Sequence, residues 1–302
     1  VDVMNNEKII LQKLKSKAVS KDMPFQLILQ LFCQEEFLRK LERSEFHDQL
    51  ILKGGLFLFS YSGFESRPTM DIDFLAQNLS NDEEEMEKII NRICQVKTEN
   101  EFIRLEIKST EVIAEMKAYH GVRLKMLAMI ANTKTPFDVD IGIGDIIVPA
   151  VNEVEIPTQL AGFVAPKVAS YSLESTIAEK LEAMFDRMET TSRMKDYYDI
   201  YYLASHYDFD GSILIEAISH TFTNRGTDCT TRSLNRIAVM YKDSSMINRW
   251  KAFTKKSLAV PLDFVDVIQI IISFIKPIIH SIEEGKVMHK KWSKDYYEYI
   301  EK

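Results

Sequence analysis

Two aspartates, Asp71 and Asp73, open an alternating apolar run, Met70-Asp-Ile-Asp-Phe-Leu-Ala76. Side chains two apart on a strand project from one face, so both carboxylates can meet at one point in space. Adjacent anions repel unless a cation sits between them, and Mg²⁺ prefers one or two carboxylates plus the phosphates of a substrate. Upstream stands Leu52-Lys-Gly-Gly55. A glycine pair lets backbone amides approach such phosphates because no Cβ intervenes. Taken singly, a glycine pair is most often a turn and a DxD a solvated loop. Their combination carries the reading.

A third carboxylate comes from Phe137-Asp-Val-Asp-Ile-Gly-Ile-Gly-Asp145, again alternating. Asp138 and Asp140 share a face there. Asp140 lies nearer the middle of the run and is the expected partner of Asp71 and Asp73. Asp138 reads equally well as a solvent-facing residue, and Asp145, after Gly144, as a turn residue.

Further on, Ser172 reads as an N-cap, and Leu173, Ile177, Leu181, Met184 and Phe185 form one helical stripe with Glu174 and Lys180 beside it. Arg193-Met-Lys-Asp-Tyr-Tyr-Asp199 places Lys195 four residues and Asp196 three residues from Asp199, grouping one cation with two anions. Alone, that is a surface ion pair of small energetic worth.

The elements that must hold these groups can be read from periodicity. Apolar residues from Phe25 to Leu41 recur at helical spacing, and a second helix is expected to start near Asp48 and carry Leu56 to Phe59. The Asp71 strand is followed by Ser80-Asn-Asp-Glu-Glu-Glu85, an acidic helix start. Strands are expected at Phe102 to Lys108, Val122 to Ile130, Pro136 to Ile143 and Ile146 to Val148. Beyond Pro166 the pattern reads as helical throughout, including a terminal helix ending at Ile300. The expected organisation is α+β: a mixed sheet with flanking helices over residues 1–165, then an all-helical half over residues 166–302 contributing to an active-site cleft.

Composition excludes several classes. The 302 residues are 46% hydrophobic with a net charge of −7, which rules out disorder, collagen-like repeats and a small disulfide scaffold. The three cysteines, Cys33, Cys94 and Cys229, show no CxxC spacing, and the six histidines show no zinc-binding spacing. A cytoplasmic setting is expected, since Val1 to Asn6 lack the pattern of an export leader. Val260 to Ile282, the most apolar stretch, carries Asp263, Asp266, Gln269 and Lys276 and reads as a buried helix, not a membrane span. The basic run Lys286 to Lys294, with Tyr296, Tyr297 and Tyr299, could hold an RNA backbone; the expected reading is a solvated helix face with aromatics in the core. Ser60 and Ser62 lack the partners of a nucleophilic triad.

Lys53-Gly-Gly55, Arg67-Pro-Thr-Met-Asp71-Ile-Asp73, Asp138-Val-Asp140, Ala178-Glu-Lys180 and Arg193-Met-Lys195-Asp196-Tyr-Tyr-Asp199, in this order, resemble the AbiEii/AbiGii toxin family, whose core is similar to that of the DNA polymerase β-like nucleotidyltransferases. The resemblance covers roughly residues 45 to 205 and implies Mg²⁺-dependent transfer of a nucleoside monophosphate from an NTP to an acceptor hydroxyl, with Mn²⁺ as an alternative ion. It implies a toxin of a bacterial toxin–antitoxin or abortive-infection system, with a cognate antitoxin and tRNA 3′ ends among the acceptors. By motif position, Asp71, Asp73 and Asp140 would hold metal; Lys53, Gly54, Gly55, Arg67, Thr69 and Arg193 would contact the nucleotide; and Lys180, Lys195, Asp196 and Asp199 would join in catalysis. Gly54-Gly55 departs from the Gly-Ser of many polymerase β-like enzymes. Two rivals are a non-catalytic NTP- or RNA-binding protein on the same scaffold and a nucleotidyltransferase acting on a small molecule or a protein.

Overall fold

The structure is a computed structural model that describes residues 3–63, 67–80, 82–114 and 120–302. The chain divides into two compact units, Val1–Gly144 with Val151–Tyr171, and Asp145–Ala150 with Ser172–Lys302. The division expected near residue 165 therefore lies between Tyr171 and Ser172, and Asp145–Ala150 belongs with the second unit.

The first unit is built on seven strands: β1 (Leu50–Lys53), β2 (Ile72–Ala76), β3 (Ile103–Ala114), β4 (His120–Ile130), β5 (Thr133–Ile143), β6 (Asn152–Glu155) and β7 (Lys167–Ser170). Their order in the sheet is β3-β4-β5-β2-β1-β7-β6. β2 runs parallel to β5 and β1 parallel to β7; the other neighbours are antiparallel. The helix expected to start near Asp48 begins only at Gly54. Leu50, Ile51 and Leu52 are fully buried in β1, an interior strand. A short apolar run buried on both faces has no alternation to betray it.

Around the sheet stand α1 (Val3–Ser20), α2 (Phe25–Glu42), α3 (Gly54–Ser62) and α4 (Glu83–Gln95). In α4, Met86, Ile89, Ile90 and Ile93 are buried at helical spacing, and Asp82 caps the acidic first turn by accepting from Glu85 N. α2 is buried from Leu27 through Leu41, polar residues included. Arg39 bonds Glu35 at 2.9 Å and Glu36 at 3.2 Å, while its Nε donates to the Val164 carbonyl at 2.6 Å. Glu36 also accepts from Thr98 and Asn100, and Glu35 accepts from Gln159 N. Such burial is tolerable because each charge has partners. The network ties the loops at 98–100 and 159–164 to one helix.

The second unit contains α5 (Leu173–Arg187), α6 (Met194–His206), β8 (Phe209–Asp210), α7 (Gly211–Arg225), α8 (Thr231–Ile237), α9 (Ser244–Ser257), α10 (Phe264–Glu284), β9 (Lys290–Ser293) and β10 (Glu298–Glu301). α10 is long and apolar enough to cross a membrane by length and composition, but it buries Val267, Ile268, Ile271, Phe274, Ile275, Ile278 and Ile279 inside the unit, as expected of a core helix.

Two expectations fail here. Residues 146–148 form no strand: Val148 N donates to Ser175 Oγ at 2.8 Å, and the Val148 carbonyl accepts from Ser172 and Ser175, so side chains replace a ladder. The terminal helix is a hairpin, β9–β10, paired to β8. Trp292 Nε1 donates to the Ala204 carbonyl at 2.7 Å and Tyr299 OH to the Phe274 carbonyl at 3.0 Å, fixing aromatics that favour strands. The basic run is accordingly no helix face. Lys286, Lys290 and Lys302 pair with Glu284, Glu301 and Asp210.

Candidate active site

β1, β2, β5 and β4 lie side by side, and one register line crosses all four: Lys53 opposite Asp73, Asp73 opposite Asp140, Asp140 opposite Arg123. Directly opposed residues share a face of the sheet, so this row reads plus, minus, minus, plus. The buried residues between them, Leu52, Ile72, Phe74, Val122, Leu124, Val139 and Ile141, occupy the opposite face. Alternation on each strand thus presents the carboxylates away from the core.

Asp73 follows directly on the loop carrying Arg67, Thr69 and Asp71. Gln30 and Gln34, both buried on α2, donate their side-chain amides to the carbonyl of Met70, Gln34 at 2.7 Å. The residue before Asp71 is thereby anchored to the core. Thr69 is buried, and a Cβ on Gly55 would come within 2.3 Å of its Oγ1. Gly54, at φ 70°, faces Asp73 in the same way, with Oδ2 at 2.0 Å from an added Cβ. The glycine pair therefore has a steric role besides any amide donation: it makes room for Asp73 and Thr69 at the start of α3. Lys53 Nζ sits 5.3 Å from the centre of the Tyr171 ring, a cation–π contact.

Asp140 is held by a group that sequence reasoning missed. Arg123 Nε and Nη2 reach Asp140 Oδ1 and Oδ2 at 2.7 and 2.6 Å, a bidentate pair, and Nε lies 3.7 Å from Asp138 Oδ2. Hydrogen bonding to Asp140 outweighs partial burial and holds the guanidinium firmly charged. The available signal was an arginine inside the apolar alternation of Val122 to Ile130. Its partner depended on a register no motif announces.

In the second unit, Ser172 caps α5 by accepting from Ser175 N at 3.0 Å. Lys180 on that helix is buried and bonds Asp199 at 2.6 Å and Asp196 at 3.3 Å, both on α6. Arg193 Nε adds a 2.7 Å bond to Asp196. Burial pushes the Asp196 carboxyl up, but Lys180 and Arg193 together overcome that and leave it below the usual range. Lys195 is exposed, so the cation buried between the two aspartates is Lys180. Glu174, half-buried, has its carboxyl pushed up by desolvation. Asp145, expected in a turn, pairs with Arg225 at 2.8 Å, and Arg225 also binds Glu182 at 3.1 Å.

A mixed sheet carrying paired carboxylates on adjacent parallel strands, beside helices, is a nucleotidyltransferase fold, and solved structures agree. A candidate nucleotidyltransferase from Helicobacter pylori is similar over 88% of this chain and 100% of its own, at 15% identity and a TM-score of 0.50. JHP933 from Helicobacter pylori is similar over 86% of this chain and 94% of its own, at 14% identity and a TM-score of 0.50. No curated protein matches the sequence. The family model for the nucleotidyl transferase AbiEii toxin of type IV toxin–antitoxin systems matches residues 36–270. The chain belongs to that AbiEii toxin family.

Proposed function

We propose that this chain moves a nucleoside monophosphate from an NTP to an acceptor hydroxyl, with Asp71, Asp73 and Asp140 as the residues that hold Mg²⁺ or Mn²⁺. The observation that carries this reading is the register of Asp73 opposite Asp140 on the parallel pair β2 and β5, two residues from Asp71. The donor set is all carboxylate oxygen, which suits a hard divalent ion. Among the described residues no three acidic, His or Cys side chains form a ready-made metal cage. An ion held there would draw its remaining ligands from substrate phosphates.

When bound, such an ion neutralises phosphate charge and lowers the pKa of the attacking hydroxyl. The chain's own groups would do the rest. Lys53, Arg67, Thr69 and the amides of Gly54 and Gly55 would grip the triphosphate, with Arg193 as a further contact. Lys180, set by Asp196 and Asp199, would offset charge on the departing pyrophosphate. Lys195, being exposed, is better placed to meet an acceptor than to sit among these acids. We assign RNA, with tRNA 3′ ends first, as the acceptor, a cognate antitoxin as the controlling partner, and the cytoplasm as the setting.

The test incubates purified protein with Mg²⁺ and each α-³²P-labelled NTP, with and without total tRNA, beside D71A and D73N. Label on RNA that both substitutions abolish, in proteins that remain folded, is the expected outcome. Label on the protein itself would move the acceptor class, and transfer that survives both substitutions would remove the carboxylates from the mechanism.

A further inference from the structure

Arg123 occupies both oxygens of the carboxylate that the proposed ion site needs, and a second acid is already within reach. On β5, Asp138 and Asp140 are two residues apart on the face that Arg123 shares. Arg123 touches Asp140 at 2.6 and 2.7 Å and approaches Asp138 to 3.7 Å. The three side chains are 19% exposed at Asp140, 31% at Asp138 and 33% at Arg123, so an ion from solvent can reach them. On the other side of Arg123, Glu111 of β3 is bonded to Lys125 at 3.1 Å.

A divalent ion between Asp73 and Asp140 would meet the guanidinium at close range. A bidentate fork covers both oxygens of Asp140, so an ion ligated there would compete with the guanidinium for the same lone pairs and repel it at close range. Moving one side chain from Asp140 to Asp138 removes the conflict while keeping the arginine paired. Buried Val122 and Leu124 anchor the backbone on either side, so the change needs only rotation of the Arg123 side chain.

Resting on the functional reading above, we propose that Arg123 is a displaceable counter-ion: it neutralises Asp140 while the site holds no divalent ion, and ion binding transfers it to Asp138. The bidentate contact then acts as a threshold, keeping ion affinity low until a nucleotide adds its own phosphate ligands. A purely structural salt bridge makes the opposite forecast, since loosening it would disorder Asp140 and weaken ion binding.

The experiment is a Mn²⁺ titration of the full chain, following free Mn²⁺ by electron paramagnetic resonance, in wild type, R123K, R123Q and D73N. R123K keeps the charge but loses the fork. Both Arg123 variants are expected to bind Mn²⁺ about tenfold more tightly than wild type, a change of the size of one charge-assisted hydrogen bond, and D73N to lose binding. If R123K matches wild type, even with R123Q tighter, only net charge matters and the displacement idea fails; loss of binding in D73N would leave the functional reading intact. If D73N binds like wild type, or if Mn²⁺ fails to bind any of the proteins even with an NTP added to supply phosphate ligands, both fall. Should R123Q misfold, R123K and the Arg123 Nε–H resonance of wild type decide: that resonance must shift when Mg²⁺ binds, and an unmoved resonance at saturation overturns the proposal.

Discussion

Gly54 lies directly against the Asp73 carboxylate, so close that a Cβ there would fall 2.0 Å from Oδ2. At φ 70° the backbone also sits where side chains are rarely accommodated. Two independent constraints thus converge on one residue, and both serve the carboxylate placed opposite Asp140. G54A is expected to cost about 2 kcal/mol of stability and to displace Asp73, abolishing nucleotide transfer. Gly63 supplies the control: its φ is 54° but nothing lies within 4 Å of an added Cβ. G63A should cost about 1 kcal/mol and leave transfer intact, as urea melts paired with the labelling assay would show. Equal activity loss in both would put the effect on the backbone and not on Asp73.

Lys180 stands between two carboxylates that are each 1% exposed. Replacing it with methionine keeps the volume and removes the charge, leaving Asp196 to Arg193 and depriving Asp199 of its buried cation. K180M is expected to lose about 3–5 kcal/mol, and adding D199N should recover part of that. K195A, at an exposed position, should change stability by less than about 0.5 kcal/mol. Denaturant midpoints of the three variants decide the matter, and a silent K180M would show that the pair contributes no net stability.

Glu35 predicts a pH dependence. Burial pushes its carboxyl up to about 7, against the opposing pull of Arg39 and of the Gln159 amide. Its folded value lies above its unfolded one, so the folded chain holds a proton that the unfolded chain has lost. That contribution is complete below about 4.5 and disappears as pH rises through about 7. Urea midpoints should therefore fall between pH 5 and 8, and E35Q should flatten the fall. An unchanged slope in E35Q would assign the dependence to other groups.

Gln34 and Gln30 both serve the Met70 carbonyl, one residue before Asp71. Q34L is expected to cost about 1 kcal/mol for the lost hydrogen bond. The larger effect should fall on kcat, with NTP KM little changed, because the aspartate loop loses one of its two anchors to α2. Steady-state kinetics beside a thermal melt separates the two. A normal kcat would mean that Thr69 and the Gly55 contact hold the loop unaided.

Much of the site was legible in the chain itself. β2 and β5 announce themselves by alternation, which also places Asp138 and Asp140 on a common face. α6, Met194 to His206, forms inside the stretch that reads as helical, and Ser172 caps α5 as expected. β1 escaped because an interior strand of four residues has no polar face to mark its period. The last hairpin escaped because its lysines and tyrosines suit an exposed helix as well as a strand, until Trp292 and Tyr299 find their carbonyls.

Local sequence determined which residues carry charge and which neighbours share a face, since those follow from side-chain chemistry and the two-residue period of a strand. Tertiary structure decided who meets whom: Asp140 with Asp73 and Arg123, Lys180 with Asp196 and Asp199, Gln30 and Gln34 with the Met70 carbonyl. Each of those meetings joins segments separated by many residues, and strand register and helix packing, which set them, depend on the whole buried core and not on any one segment.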